Sequence, residues 1–449
     1  MSIKLKKQTI QANPNEWQTF PLLVSLAANN LKSLHKTPVD LVCVIDHSGS
    51  MAGTKIELVK QSFQSLFKYL GDADRLSIVI FDNNASRLVP LMSMTNQNKA
   101  IITNALNSVY GQGGTDINLG MMHAFQILKS RKYINTATSI FLLSDGLDNR
   151  AQHKVKASCQ AFDLPSNVSI HTFGFGSDHD PRLMTDIADL RDGNFYFINK
   201  LETVDECFID CLGGIQSSIS QNVIISVQAE QSQQMKGVQL LDSYGNSSMW
   251  TYHKDQCSTK LINLMAGRQK DYILKLRLPA IRRKAYEPAT QVKIASVEAV
   301  ILGLDGQQIV KKADLYVTLL DENENIALFD NKDDFEVMKN YYRVKGAFMM
   351  NKARQLADEK QWIAARKSLQ SFRDEVQESA LKDDPFIKNL LQDLEQAIIN
   401  VDPEIYWKVG KHNLIANQRA QMYQKSNLDS KNNYQNALQI QMLQMLKKK

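Results

Sequence analysis

Apolar and polar positions follow three different rhythms along this chain, and each predicts a different kind of structure. Between about residues 38 and 220, apolar runs of strand length take turns with segments whose apolar residues recur every three or four positions. The runs predict strands at Val39–Asp46, Arg75–Asp82, Ser86–Met94, Thr138–Asp145, Ser169–Gly176 and Gly193–Asn199. The segments between them predict helices at Thr54–Leu70, Asn96–Val109, Ile117–Arg131, Ala151–Asp163, Pro181–Leu190 and Thr203–Ser220. Such alternation implies an α/β, doubly wound, mostly parallel sheet covered by helices on both faces. Only Asn83-Asn84-Ala85 separates the second strand from the third, too little for a crossover, so the third is expected as an antiparallel edge.

The second rhythm has a period of two and runs from about 222 to 320, in Val223–Ala229, Val238–Ser243, Ser258–Leu264, Tyr272–Leu278, Val292–Leu302 and Ala313–Leu320. With turns such as Tyr244-Gly245-Asn246-Ser247 and Leu304-Asp305-Gly306 it predicts an antiparallel β-sandwich. Two further alternating segments, Ile3–Ile10 and Thr19–Ala27, flank Asn13-Pro14-Asn15 near the start. A lone hairpin is marginal in water. Residues 1–37 are therefore expected to join the sandwich of residues 221–330, with residues 38–220 inserted between them.

Beyond 331 the rhythm is helical. Trp362, Ala365, Leu369, Phe372 and Val376 form one apolar stripe, and Val337, Tyr341, Val344, Phe348 and Leu356 form another before it. Asp384-Pro385 and Asp402-Pro403 are cap-then-proline helix starts, the second leading a helix from Glu404 to Gln424. The helical region is expected to end near 426, leaving 427–449 as a polar, basic tail, mobile or carrying a short peripheral helix.

Candidate chemistry sits at strand ends. Asp46-His47-Ser48-Gly49-Ser50 follows the first apolar run, Gly113-Gly114-Thr115-Asp116 precedes a helix, and Ser144-Asp145-Gly146 closes a later strand. Asp46, Ser48, Ser50, Thr115 and Asp145 form an all-oxygen set of two carboxylates and three hydroxyls. Small hard divalent ions prefer such donors. With so little negative charge around it, an ion here would accept one more anionic oxygen from outside. The competing reading of the first loop alone is a strand end followed by a helix cap, where Ser and Asp are also favoured. His47 either tunes access to the loop or packs beside it. Asp116 and Asp148 read as caps or supporting partners, and Gly113, Gly114 and Gly146 as turn residues.

On these three pieces the chain resembles the von Willebrand factor type A family, whose metal-ion-dependent adhesion site combines an Asp-x-Ser-x-Ser loop with a distant Thr and a distant Asp. The resemblance implies direct ligation by the Ser48 and Ser50 hydroxyls, direct or switching ligation by Thr115, and mainly water-mediated contact by Asp46 and Asp145. It also implies Mg2+, or another divalent cation such as Mn2+ or Ca2+, and a protein partner presenting Glu or Asp. The region after Cys211-Leu212-Gly213-Gly214 is similar to the C-terminal extension of plant-type proteins that pair a RING finger with this domain. No RING is present, because five scattered cysteines cannot supply two zinc sites, and ligase activity is not implied.

Composition narrows the rest. The net charge of +6 over 449 residues is modest and has no aromatic-interleaved basic motif, which argues against nucleic acid. No run of eighteen apolar residues predicts a membrane span, and no signal-peptide core follows the basic start. Five cysteines, an odd number, suggest reduced buried thiols and an intracellular, cytoplasmic setting. Neither a Gly-x-Gly-x-x-Gly loop, a Walker loop nor a Gly-x-Ser-x-Gly elbow is found, so Ser48 and Ser50 are not expected to be nucleophiles. The expected function is a non-catalytic interaction module. The alternative is a structural or regulatory subunit of an assembly, possibly ligase-like without its RING, docking through the C-terminal helices.

Overall fold

The computed structural model describes residues 2–5, 8–11, 16–30, 36–145, 147–148, 151–200, 203–231, 237–244, 249–280, 290–320, 332–428, 430 and 434–448. The expected turns at Asn13-Pro14-Asn15 and Gly146, and most of Tyr244-Gly245-Asn246-Ser247, lie outside them.

Val39–Asp46 is buried along its whole length because its side chains serve two cores in turn. Val39, Leu41, Cys43 and Ile45 enter one hydrophobic cluster, with Phe63 and Phe208. Val42 and Val44 enter the other, with Ile117, Met121 and Phe125. A strand apolar on both faces belongs at the centre of a helix-covered sheet. The sheet runs Ala85–Ser93, Arg75–Phe81, Val39–Asp46, Ala137–Ser144, Val168–Phe175, Phe195–Ile198. Every pairing is parallel except that of Ala85–Ser93, the antiparallel edge.

This unit is inserted in a two-sheet β structure. One sheet orders Ser2–Leu5, Gln18–Ala27, Gln269–Leu278 and Gln239–Ser243. The other orders Thr251–His253, Gln256–Leu261, Ser218–Ala229, Thr290–Gly303, Gln308–Leu320 and Gln8–Gln11, with Leu264–Met265 attached to Ser218–Ala229. Leu22, Val24 and Leu26 from before the insertion share a core with Val223, Ile225 and Leu274 from after it. Three expectations need correcting. The segment Ile3–Ile10 is two strands, which go to different sheets, and Gln8–Gln11 pairs in parallel with Gln308–Leu320. The last helix of the insertion ends at Gln216, where the Ser217 hydroxyl bonds back to the Gly214 carbonyl, so Ser218–Ser220 are already strand. The expected strand Ser258–Leu264 breaks into Gln256–Leu261 and Leu264–Met265, and Thr251–His253 is a short addition that the pattern does not mark.

The C-terminal region packs Lys332–Asp358, Trp362–Glu378 and Pro385–Asn400 around Ala365, Leu369, Phe372, Leu390 and Leu394. Phe348 departs from its expected stripe and is 52% exposed. The helix expected from Glu404 to Gln424 is interrupted by a π-turn at Tyr406–Gly410 before it resumes as Lys411–Tyr423. Widened turns let a side chain reach sideways, and here the Tyr406 hydroxyl reaches Asp358 at 2.7 Å. The largest correction concerns the tail. Ala437–Lys447 is a helix with an Asn436/Gln439 capping box, and its Leu438, Met442 and Leu443 are buried in the same cluster as Phe208 and Leu212. Lysine-rich sequence at its end conceals this apolar face. All five cysteines are buried thiols outside any disulfide. No helix among the described residues is long and apolar enough to cross a membrane.

Candidate metal centre

Val39–Asp46 and Ala137–Ser144 lie side by side, and their onward connections lead to opposite halves of the sheet. At such a switch point the crossovers diverge and leave a crevice beyond the carboxyl ends of the strands. Asp46 is the last residue of one strand and Asp145 the first residue past the other.

Asp46 is fully buried and holds its own loop together. One carboxylate oxygen accepts the Ser48 backbone N–H at 2.8 Å, and the other accepts the Ser144 hydroxyl at 2.5 Å. Burial pushes its pKa up, the bonds from Ser144 and Ser48 act against that, and the nearby Asp145 carboxylate adds to it. The Ser48 and Ser50 hydroxyls are 3.1 Å apart, and Ser50 donates to Asp145 Oδ1 at 2.8 Å. Lys55, one residue into the following helix, forms an ion pair with Asp145 Oδ2.

The loop carrying Thr115 is pinned from three directions. Gly49 N–H donates to the Gly113 carbonyl at 3.1 Å, Gln112 N–H to the His47 carbonyl at 2.6 Å, and Asp116 N–H to the Asp82 carbonyl at 2.8 Å. Gly113 has φ +73°, and a Cβ there would stand 2.8 Å from Asp82 Oδ2, so the close approach requires glycine. Thr115 thus sits between two pinned residues in the same loop cluster. Asp116 caps the helix Ile117–Ser130 through Leu119 N–H at 3.1 Å, and Asp148 accepts the Ile117 N–H at 3.2 Å. His47 packs beside the loop, with Nδ1 3.1 Å from the Tyr110 carbonyl.

The oxygen spacing permits a test of fit. Ligands at 2.0–2.1 Å on adjacent corners of an octahedron are about 2.9 Å apart. The separations of 3.1 Å between the two hydroxyls and 2.8 Å from Ser50 to Asp145 bracket that value. Among the described residues no three His, Cys, Asp or Glu side chains cluster as a metal site. Any cation held here would depend on hydroxyls as much as on carboxylates. Two neighbours escaped the sequence reading. Ser144 is hidden because it ends an apolar run, and Lys55 because a lysine early in an amphipathic helix looks like solvated surface.

The fold and its switch-point crevice define a doubly wound α/β domain. Residues 40–208 match the von Willebrand factor type A domain, and this chain carries such a domain. Domains of this class are generally protein-interaction modules. The E3 ubiquitin-protein ligase WAV3 of Arabidopsis thaliana is 25% identical over 295 residues, covering 62% of this chain and 36% of that protein. An uncharacterized protein of Synechocystis sp. is 30% identical over 200 residues, covering 44% of this chain and 46% of its own length. The chain thus spans less than half the length of these curated relatives. The solved von Willebrand factor type A protein of Catenulispora acidiphila aligns over 94% of this chain and 96% of its own, with a TM-score of 0.66 at 15% identity. That likeness extends the shared fold through the β structure and the C-terminal helices.

Proposed function

We propose that this chain is a non-catalytic interaction protein that binds a carboxylate of its partner through a divalent cation, of the Mg2+ type, at the crevice beyond Asp46 and Asp145. The observation that carries this reading is the convergence of the Ser48, Ser50 and Asp145 oxygens at the crevice, linked in sequence at 3.1 and 2.8 Å. Ser48, Ser50 and Thr115 would hold the ion from the protein side. Asp46, with both oxygens already engaged, would orient the Ser48 loop and balance charge from behind. When bound, the ion supplies a Lewis-acidic position for a Glu or Asp side chain. The rim fits a partner that brings apolar surface beside its acid, since Tyr110 and Leu147 are 69% and 62% exposed. The Ser50 hydroxyl donates to a carboxylate and to no histidine, which supports a ligand role over a nucleophilic one.

Capture of acidic peptides by the full chain in Mg2+ tests this. EDTA and Asp46→Ala should each abolish capture, and undiminished capture under both would remove the mechanism.

A second reading is supported by the helical region and by the Arabidopsis relative, an E3 ubiquitin-protein ligase. Ile363 and Trp407 are 85% and 52% exposed, an apolar face on which an assembly could dock. In that case Ile363→Glu with Trp407→Glu would abolish assembly while chelation would not. Truncation is the poorer test, because Ala437–Lys447 is part of the domain core.

A further inference from the structure

We propose that the seam where the three parts of the chain meet is a binding site for a small tetrahedral oxyanion of the phosphate class. A cavity of about 60 Å3 lies there, walled by His171 and Asp192 of the parallel-sheet unit, Arg268 and Lys270 of the β structure, and Lys425 and Gln439 of the C-terminal region. A single water needs about 10–15 Å3 by this measure. The space therefore takes a cluster of about four waters or one ion with four oxygens.

Charge favours the ion. Three cations face the cavity against the single carboxylate of Asp192. Lys425 pairs with Asp192 at 3.1 Å. Among the described residues, the hydrogen-bond partners of Arg268 and Lys270 are backbone carbonyls and not carboxylates: Arg268 donates to Gln424, and Lys270 to Tyr423 at 2.6 Å. Those carbonyls end the helix Lys411–Tyr423, and a helix C-terminus carries about half a negative charge. Asp210 stands behind the wall, held by Tyr196 and Gln439, and burial pushes its carboxyl pKa up. With Lys270 protonated, and depending on whether Asp210 is ionised, about half to one and a half positive charges remain over. Uncompensated charge in such surroundings is strongly unfavourable. Burial accordingly pushes the Lys270 ammonium down to about 7, and a bound anion would relieve that. The wall also offers a spare donor, since among the described residues the buried Ser218 hydroxyl has no hydrogen-bond partner.

There is a way in. A wider cleft of about 500 Å3, lined by Lys260, Thr251 and an Asp189 that is paired with Arg419, shares Asp192 and Lys425 with the inner cavity. The Lys425–Asp192 pair lines both spaces, and passage between them would require Lys425 to leave Asp192 and the Gly193 carbonyl, to which it donates at 2.6 Å. An anion in the inner cavity would bind all three parts of the chain at once.

The test uses the full chain in EDTA, so that no cation at the loop edge can recruit phosphate. Inorganic phosphate is titrated by calorimetry, and melting temperature is compared with chloride at matched ionic strength. One phosphate per chain and a higher melting temperature are expected. Glycerol phosphate in a parallel titration separates the sources: tighter binding assigns the site to a phosphate ester reaching into the outer cleft, and weaker binding to the free ion. Lys270→Met should abolish binding. Because Lys270 also caps a helix, Ser218→Val gives an independent check and should weaken binding by about tenfold or more. No saturable phosphate up to ~10 mM, or equal binding by wild type and Ser218→Val, would overturn the proposal.

Discussion

At the carboxyl edge of the parallel sheet two carboxylates are surrounded by hydroxyls and one lysine, whereas the seam near the amino ends of its last strands sets three cations against one carboxylate. The edge is built from loops that neighbouring strands project into a crevice, and its oxygens bond one another. The seam is built from side chains of all three parts of the chain, packed against a helix end. An edge of this kind can gain or lose a ligand without disturbing the core. The seam cannot, because its groups also fasten the C-terminal helices to the rest. Function and cohesion are thus separated at one site and merged at the other.

The sharpest way to break that contrast is through the helix that abuts the seam. Met442→Ala removes a fully buried side chain from the core shared with Phe208, and it should cost about 2–5 kcal/mol in chemical denaturation while Mg2+ affinity stays unchanged. At the edge the opposite holds. Ser48→Ala with Ser50→Ala should weaken Mg2+ binding by about 100-fold in calorimetry, with the melting temperature in EDTA nearly that of wild type.

A third effect, smaller for each pH unit, follows from pH. Burial brings the folded-state pKa of Lys270 down to about 7, below the ordinary lysine value of 10.5, so between these values the unfolded chain binds the extra proton. Wild-type stability should therefore rise with pH from about 7 towards 10.5, by at most about 1.4 kcal/mol per unit from this group. Comparing denaturation of wild type and Lys270→Met across that window isolates the contribution, because the other titrating groups are common to both. Smallest of all is the lysine at the edge. Lys55 holds the oxygen of Asp145 that faces away from Ser50, and a divalent ion would sit beside this charge. Lys55→Met should raise Mg2+ affinity by a few-fold, about 1 kcal/mol for a partly exposed pair. A fall in affinity would mean that Lys55 orients Asp145 instead of competing for it.

The same contrast explains what could be read in advance. Asp46 and Asp145 were legible because each closes an apolar run, and the order of those runs places them on neighbouring strands. The parallel sheet was legible because its strands are apolar on both faces, a pattern that solvent-facing sheets do not share. The seam was not legible. Asp192, Ser218, Lys270, Lys425 and Gln439 come from five separate stretches, and each alone looks like ordinary surface. Ala437–Lys447 was missed for a related reason: Leu438, Met442 and Leu443 are diluted by glutamines, and only the groove beside Phe208 and Leu212 makes them a face. The split of Ile3–Ile10 between two sheets depends on Gln8–Gln11 pairing with Val317–Leu320, just over three hundred residues away, which local alternation cannot register.

The central claim is that the loops at Asp46, Thr115 and Asp145 hold one divalent cation. A titration of the full chain with Mn2+, followed by electron paramagnetic resonance, measures it directly. One saturable ion per chain, displaced by Mg2+ and lost in Asp46→Ala, is the predicted result. A spectrum in which Mn2+ stays free, or is bound equally by Asp46→Ala, would contradict it.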